Sequence, residues 1–144
     1  MPVLKVYVTN SSGVKAGLKK IKKAAEESLK KIGLRKIELS VLLTDNDGIQ
    51  RLNKTYRGID KSTDVLSFPM DDNVMLGDVV ISMDKVLAQA RECRTTADKE
   101  LTRLLVHGIL HLAGYDHAKG GRQAFRMREK EKEIFKGLKR EKVL

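Results

Sequence analysis

The sequence predicts an α+β domain in which a small mixed β-sheet is packed with helices. Three observations carry that prediction. Apolar residues recur every three or four positions in the longer segments, as helices require, and they alternate in the shorter ones, as strands require. The last two strand candidates stand only about eight residues apart, which suits a hairpin rather than a crossover helix.

Val3–Val8 reads as the first strand. Val14, Leu18, Ile21, Ala25, Leu29 and Ile32 then mark one face of an amphipathic helix that Gly33 stops, and lysines fill much of the remainder. Ile37, Leu39, Val41 and Leu43 alternate with polar residues as a half-buried strand. Thr44 or Asp45 can cap a short helix through Ile49, Leu52 and Tyr56, closed by Gly58. Thr63–Phe68, ended by Pro69, and Gly77–Ser82 are the hairpin strands. Asp84–Cys93 is helical, with Cys93 expected to pack as a small hydrophobe. Thr95 with Asp98 resembles a capping box opening a helix over Leu101–Ala113. The second half of that helix carries no Asp, Glu, Lys or Arg, so it is expected to be the buried central helix. From Gly121 the chain is highly charged, with Phe125, Ile134, Phe135 and Leu138 as its few anchors. No repeat, linker or low-complexity tract interrupts this order, and residues 1–144 are expected to fold as one domain.

Composition narrows the function classes. The longest stretch free of Asp, Glu, Lys and Arg is Leu104–Tyr115, 12 residues, against the roughly 20 that a membrane-spanning helix needs. Lys5 interrupts the only apolar stretch near the N-terminus, so no signal peptide is expected. A single cysteine cannot form an internal disulfide, and a reducing cytoplasm is the expected compartment. The net charge of +10 is distributed basic, acidic, basic: 10 positive and 3 negative charges in residues 1–40, 5 and 8 in 41–90, 14 and 8 in 91–144. Such a layout favours a polyanion, nucleic acid before membrane; equally, the lysines of the first helix are a solvated face.

The chemistry concentrates in one segment. All three histidines, His107, His111 and His117, lie in HGILHLAGYDH. Residues four apart share a helix face, so two imidazoles can reach one ion, and Gly114 can end the helix and return His117 over them. Three neutral imidazoles with water in the fourth position form a catalytic zinc site rather than a closed structural one. A single histidine on a buried helix is usually a hydrogen-bonded core residue, but without carboxylates on that face to pair with, three buried imidazoles are hard to satisfy except through a shared cation. The same ligand spacing occurs in metzincin proteases, which carry Glu directly after the first histidine as general base. Here that residue is Gly108, and the protease mechanism lacks its proton acceptor.

HGILHLAGYDH, together with LNKTYRGIDKSTDVLSFP (Leu52–Pro69) and GDVVIS, resembles the YbeY family of bacterial single-strand-specific endoribonucleases, also called rRNA maturation factors. The resemblance runs from about Ile37 to His117. It implies a zincin-like fold, one Zn²⁺ per chain on His107, His111 and His117, and cleavage of single-stranded RNA. It further implies action on the 16S rRNA precursor at its 3′ end, contact with the small ribosomal subunit, a part in ribosome quality control, and no role for DNA. Arg57, in the Tyr-Arg-Gly segment, takes the place of the family's active-site arginine. On residue chemistry alone Arg57 is either a cation for developing phosphoryl charge or a solvated helix-terminal arginine.

Other readings stay open. Asp116 either orients a ligand or caps the turn around Gly114, and Thr63, Asp64 and Ser67 either border the cleft or serve strand-end hydrogen bonding. Tyr115 stacks a base or, as its position favours, fills the core. Two other functions compete: a zinc hydrolase of another class, such as a peptidase, and a non-catalytic RNA-binding assembly factor with structural zinc.

Overall fold

The computed structural model describes residues 3–70, 72–115 and 120–143. Among these the chain runs β1 (Lys5–Asn10), α1 (Leu18–Lys31), β2 (Glu38–Thr44), α2 (Asn46–Arg57), β3 (Val65–Pro69), β4 (Met75–Ser82), α3 (Met83–Glu92), α4 (Ala97–Leu112) and α5 (Gly121–Arg140). The sheet order is β1-β2-β4-β3, with β1, β2 and β4 parallel and β3 antiparallel to β4 at the edge. This is the mixed α+β arrangement that the spacing predicts.

Alternation along the strands assigns the two faces. Val6, Leu39, Val41, Leu43, Val79 and Ile81 point into the main core, where α1, α4 and α5 supply Leu29, Leu105, Ile109, Ile134 and Leu138. A smaller cluster of Ile49, Leu66 and Val80 lies on the other face beneath α2. Pro69 is tolerated because β3 is an edge strand. One extra residue, Leu76, bulges from β4 between the partners of Glu38 and Leu39, and Gly77 beside it takes φ +148°, a conformation open to a residue without Cβ.

Helix α4 is buried on most sides. Leu101, Leu104, Leu105, Ile109 and Leu110 are all in the core, each contributing about 1.5–3 kcal/mol of burial. Its C-terminus closes on Gly114 (φ +97°), with the Gly114 amide donating to the His111 carbonyl and the Tyr115 amide to the Leu110 carbonyl. Tyr115 packs against the core, as its position favours.

Several boundaries and contacts differ from the sequence reading. β1 is shifted to Lys5–Asn10 because its ladder with β2 runs on to Asn10 opposite Leu43. α1 opens at Leu18, and Val14 packs on the core from the preceding loop. α4 is capped by Thr96, whose hydroxyl accepts from the Lys99 amide, while Thr95 donates its amide back to Ala90 at the end of α3. Cys93 terminates α3 and is exposed rather than packed. Phe125 is 56% exposed and anchors nothing; Ala124 and Met127 take the inward positions of α5 with Ile134 and Leu138.

One buried charge stands out. Glu100, 3% exposed, accepts from Arg103 Nε (2.9 Å) and Nη2 (2.6 Å) and from Gln89 Nε2 (2.6 Å). The Arg103 donors hold the Glu100 carboxyl below its ordinary value, against the opposing effect of burial. A lowered folded-state value means stability that is full above the unfolded carboxyl's value of about 4.3 and is lost as pH falls through the folded one. The urea midpoint of the parent should therefore drop between about pH 5 and pH 3, and that of Glu100→Gln should drop less over the same interval. Equal losses would show that the pair contributes nothing to acid sensitivity.

Candidate active site

Arg57 is the last residue of α2, and Gly58 reverses the chain behind it at φ +71°. The following loop is pinned from α2, where Asn53 Nδ2 donates to the Lys61 carbonyl (2.9 Å) and Gln50 Nε2 to Asp60 (3.0 Å). The loop delivers Asp64, whose carboxylate accepts from the Val65 amide at 2.8 Å, to the start of β3. β3 then runs beside α4. Ser67 Oγ donates to the Gly108 carbonyl at 3.0 Å, tying the edge strand to the helix.

The approach at that point is close. A Cβ on Gly108 would stand 2.7 Å from Val79 Cγ1 and 3.2 Å from Val65 Cγ2. The position that carries Glu in metzincins therefore faces the sheet here, with no space for a side chain.

His107 and His111 emerge on the adjoining face of α4. Their Nε2 atoms are 3.1 Å apart, with the rings edge to face at 74°. Two imidazole nitrogens bound to one tetrahedral zinc stand about 3.3 Å apart, since each Zn–N bond is about 2.0–2.1 Å, so this donor pair fits such an ion. His107 Nδ1 lies 3.4 Å from Glu131 Oε1 on α5. A carboxylate there favours the tautomer that leaves Nε2 as the donor to a cation. His117 and Asp116 lie outside the described residues.

The histidines open onto a groove of about 420 Å³ whose lining includes Arg57, Asp64, Ser67, His107 and His111. Arg57, chosen from sequence for a different reason than the histidines, thus shares their cavity. Thr63 is absent from that lining, while Asp64 and Ser67 belong to it. The sequence reading missed Glu131, which is hidden among Glu129 and Glu133 in a charged tail. Its phase was the available signal: Met127, Glu131, Ile134 and Leu138 follow the three-to-four spacing of the inward face. The lysines of α1 do not line this groove, and Lys20 and Lys31 instead pair with Asp98 (3.3 Å) and Glu141 (2.8 Å).

A family model described as Endoribonuclease YbeY matches residues 7–139. The chain belongs to the YbeY family. Proteins named Endoribonuclease YbeY from Aquifex aeolicus and Persephonella marina are 51% identical over 123 residues and 39% identical over 142. The first match covers 83% of this chain and 82% of the relative, the second 94% and 93%. The solution structure of TM1509 from Thermotoga maritima is similar, with a TM-score of 0.64 and 29% identity over 96% of this chain and 94% of that one.

The tight seat of α4 gives a test. Gly108→Ala should cost about 1–3 kcal/mol, read from urea midpoints, because the methyl must displace Val79 or lift the helix. Val79→Ala makes room, so the double variant should lose less than the sum of the single losses. Strict additivity would mean that Gly108 is not what lets the helix lie so close.

Proposed function

We propose that this chain is a zinc-dependent, single-strand-specific endoribonuclease acting in 16S rRNA 3′-end maturation and ribosome quality control, in the cytoplasm and on the small ribosomal subunit. The observation that carries the reading is the convergence of His107 and His111 Nε2 within a groove that Arg57 also lines. His107, His111 and His117 would hold one Zn²⁺ per chain. When bound, the ion polarises a phosphoryl oxygen and lowers the pKa of a water toward about 7.

The remaining roles belong to the chain itself. Arg57 presents a planar guanidinium to the equatorial oxygens of the phosphodiester as their charge grows. Glu131 holds the His107 ring from the far side, and Ser67 keeps β3 against the helix that carries both histidines. A histidine pair one turn apart, on a helix lying over a sheet whose antiparallel edge strand borders the cleft, supports a zincin-like reading of the fold. The peptidase alternative draws no support from Gly108, which faces the sheet. A purely structural zinc gives no reason for Arg57 to share the groove. RNA rather than DNA is the expected partner. No helix among the described residues is long and apolar enough to cross a membrane.

Arg57→Ala should retain one zinc by elemental analysis, melt within a few degrees of the parent and bind single-stranded RNA almost as tightly. Its single-turnover cleavage should fall about 10²-fold, the scale of losing one charge-stabilising donor. Arg57→Lys should recover only part of that loss, because a point charge cannot reproduce a two-pronged contact. Parental cleavage by Arg57→Ala, or equal losses of binding and cutting, would remove Arg57 from the reaction.

The metal assignment is tested by His111→Ala, which should lose stoichiometric zinc while keeping its far-UV circular dichroism. An unfolded variant would make the metal structural. Mapping 3′ termini of 16S precursor incubated with the zinc-loaded protein tests the substrate.

A further inference from the structure

Arg103 precedes His107 by one turn on the same face of α4 that carries His111 one turn later. Four residues of helix advance about 6 Å, so the three side chains are rooted in a row along the helix. The guanidinium of Arg103 is not a loose surface group. Its side chain is 49% exposed, yet its Nε and Nη2 are fixed on the buried carboxylate of Glu100, which Gln89 braces from α3. Two of its five N–H groups are used in this way, and among the described residues the other three make no further hydrogen bond.

The carboxylate of Asp64, part of the groove lining, interacts electrostatically with the Arg103 guanidinium. Arg103 is rooted one turn before His107, on the side of it away from His111. A single strand carries one phosphate per nucleotide, so a strand with one phosphate at the histidines has the next one within reach of a side chain rooted one helical turn away. A guanidinium held rigid by a buried carboxylate loses little side-chain freedom on binding and offers charge-assisted donors in a fixed plane. Because Glu100 offsets its charge at long range, Arg103 acts by contact rather than by attracting RNA from afar.

We propose that Arg103 binds the phosphate adjacent to the scissile one, so that α4 sets the path of the RNA strand across the site. This rests on the endoribonuclease reading and adds to it a strand-binding residue outside the histidine and Arg57 set. Arg103 holds the strand, and its loss should raise KM while leaving kcat within about twofold.

The test uses a single-stranded RNA with one mapped cleavage site and single methylphosphonates, which are uncharged, placed in turn at the flanking linkages. For the zinc-loaded parent, one flanking position should weaken binding about tenfold, the scale of one charge-assisted contact. Arg103→Gln should bind unmodified RNA about tenfold more weakly than the parent and lose nothing more when that linkage is neutral. Glu100→Gln combined with Arg103→Gln removes both charges together, and the comparison transfers to it if Arg103→Gln alone does not fold. A methylphosphonate penalty of equal size in parent and variants would overturn the proposal while leaving the nuclease reading in place. A parent that neither binds nor cuts RNA would overturn both.

Discussion

The site depends on how closely one helix can lie on one pair of strands. At Gly108 the backbone of α4 approaches Val79 and Val65 to a distance that admits no Cβ, and Ser67 fastens the same turn through a hydrogen bond to its carbonyl. That seating fixes the rotation of the helix. His107 then faces the groove rather than the core, and His111, four residues on, follows it. The leucines and isoleucines on the other sides of α4 hold the rotation against solvent, so the histidines need no contribution to the core. A glycine beside a histidine is thus a packing requirement of this geometry.

Much of this was legible in the sequence, and the boundary of legibility has physical causes. Periodicity together with caps and turn residues revealed the elements from β1 to α4, whereas the charged tail that forms α5 showed only a few anchors. The four-residue histidine spacing needed only the helix rule to place both rings together. Arg57 was found through a motif, and its neighbourhood with the histidines became visible only when the loop after Gly58 was seen to return along β3. The Thr95/Thr96 cap was misplaced because both residues offer the same hydroxyl and only the end of α3 decides between them. Phe125 and Cys93 were misjudged for one reason: a hydrophobic side chain near an element's end has no obligation to face inward. Glu131 and Arg103 escaped notice because charged residues on charged helices look alike until a partner singles one out.

Charge was the least informative of the sequence signals. The net charge of +10 suggested a polyanion, but the densest lysine run is on α1, where Lys20 ties the helix to α4, Lys31 ties it to the segment after α5, and Glu27 is shared by Lys23 and Lys30. Among the described residues the groove carries charges of both signs, since Arg57 and Asp64 both line it. Recognition in such a groove relies on fixed donors at short range more than on a broad positive field.

Packing alone sets His107 and His111 side by side, without a metal to draw them together. Calorimetric titration of the metal-free protein with zinc, with circular dichroism recorded before and after saturation, tests it most directly. One saturable equivalent of zinc and an unchanged helical signal are expected. A gain of helix on the scale of folding, or no saturable site, would contradict it.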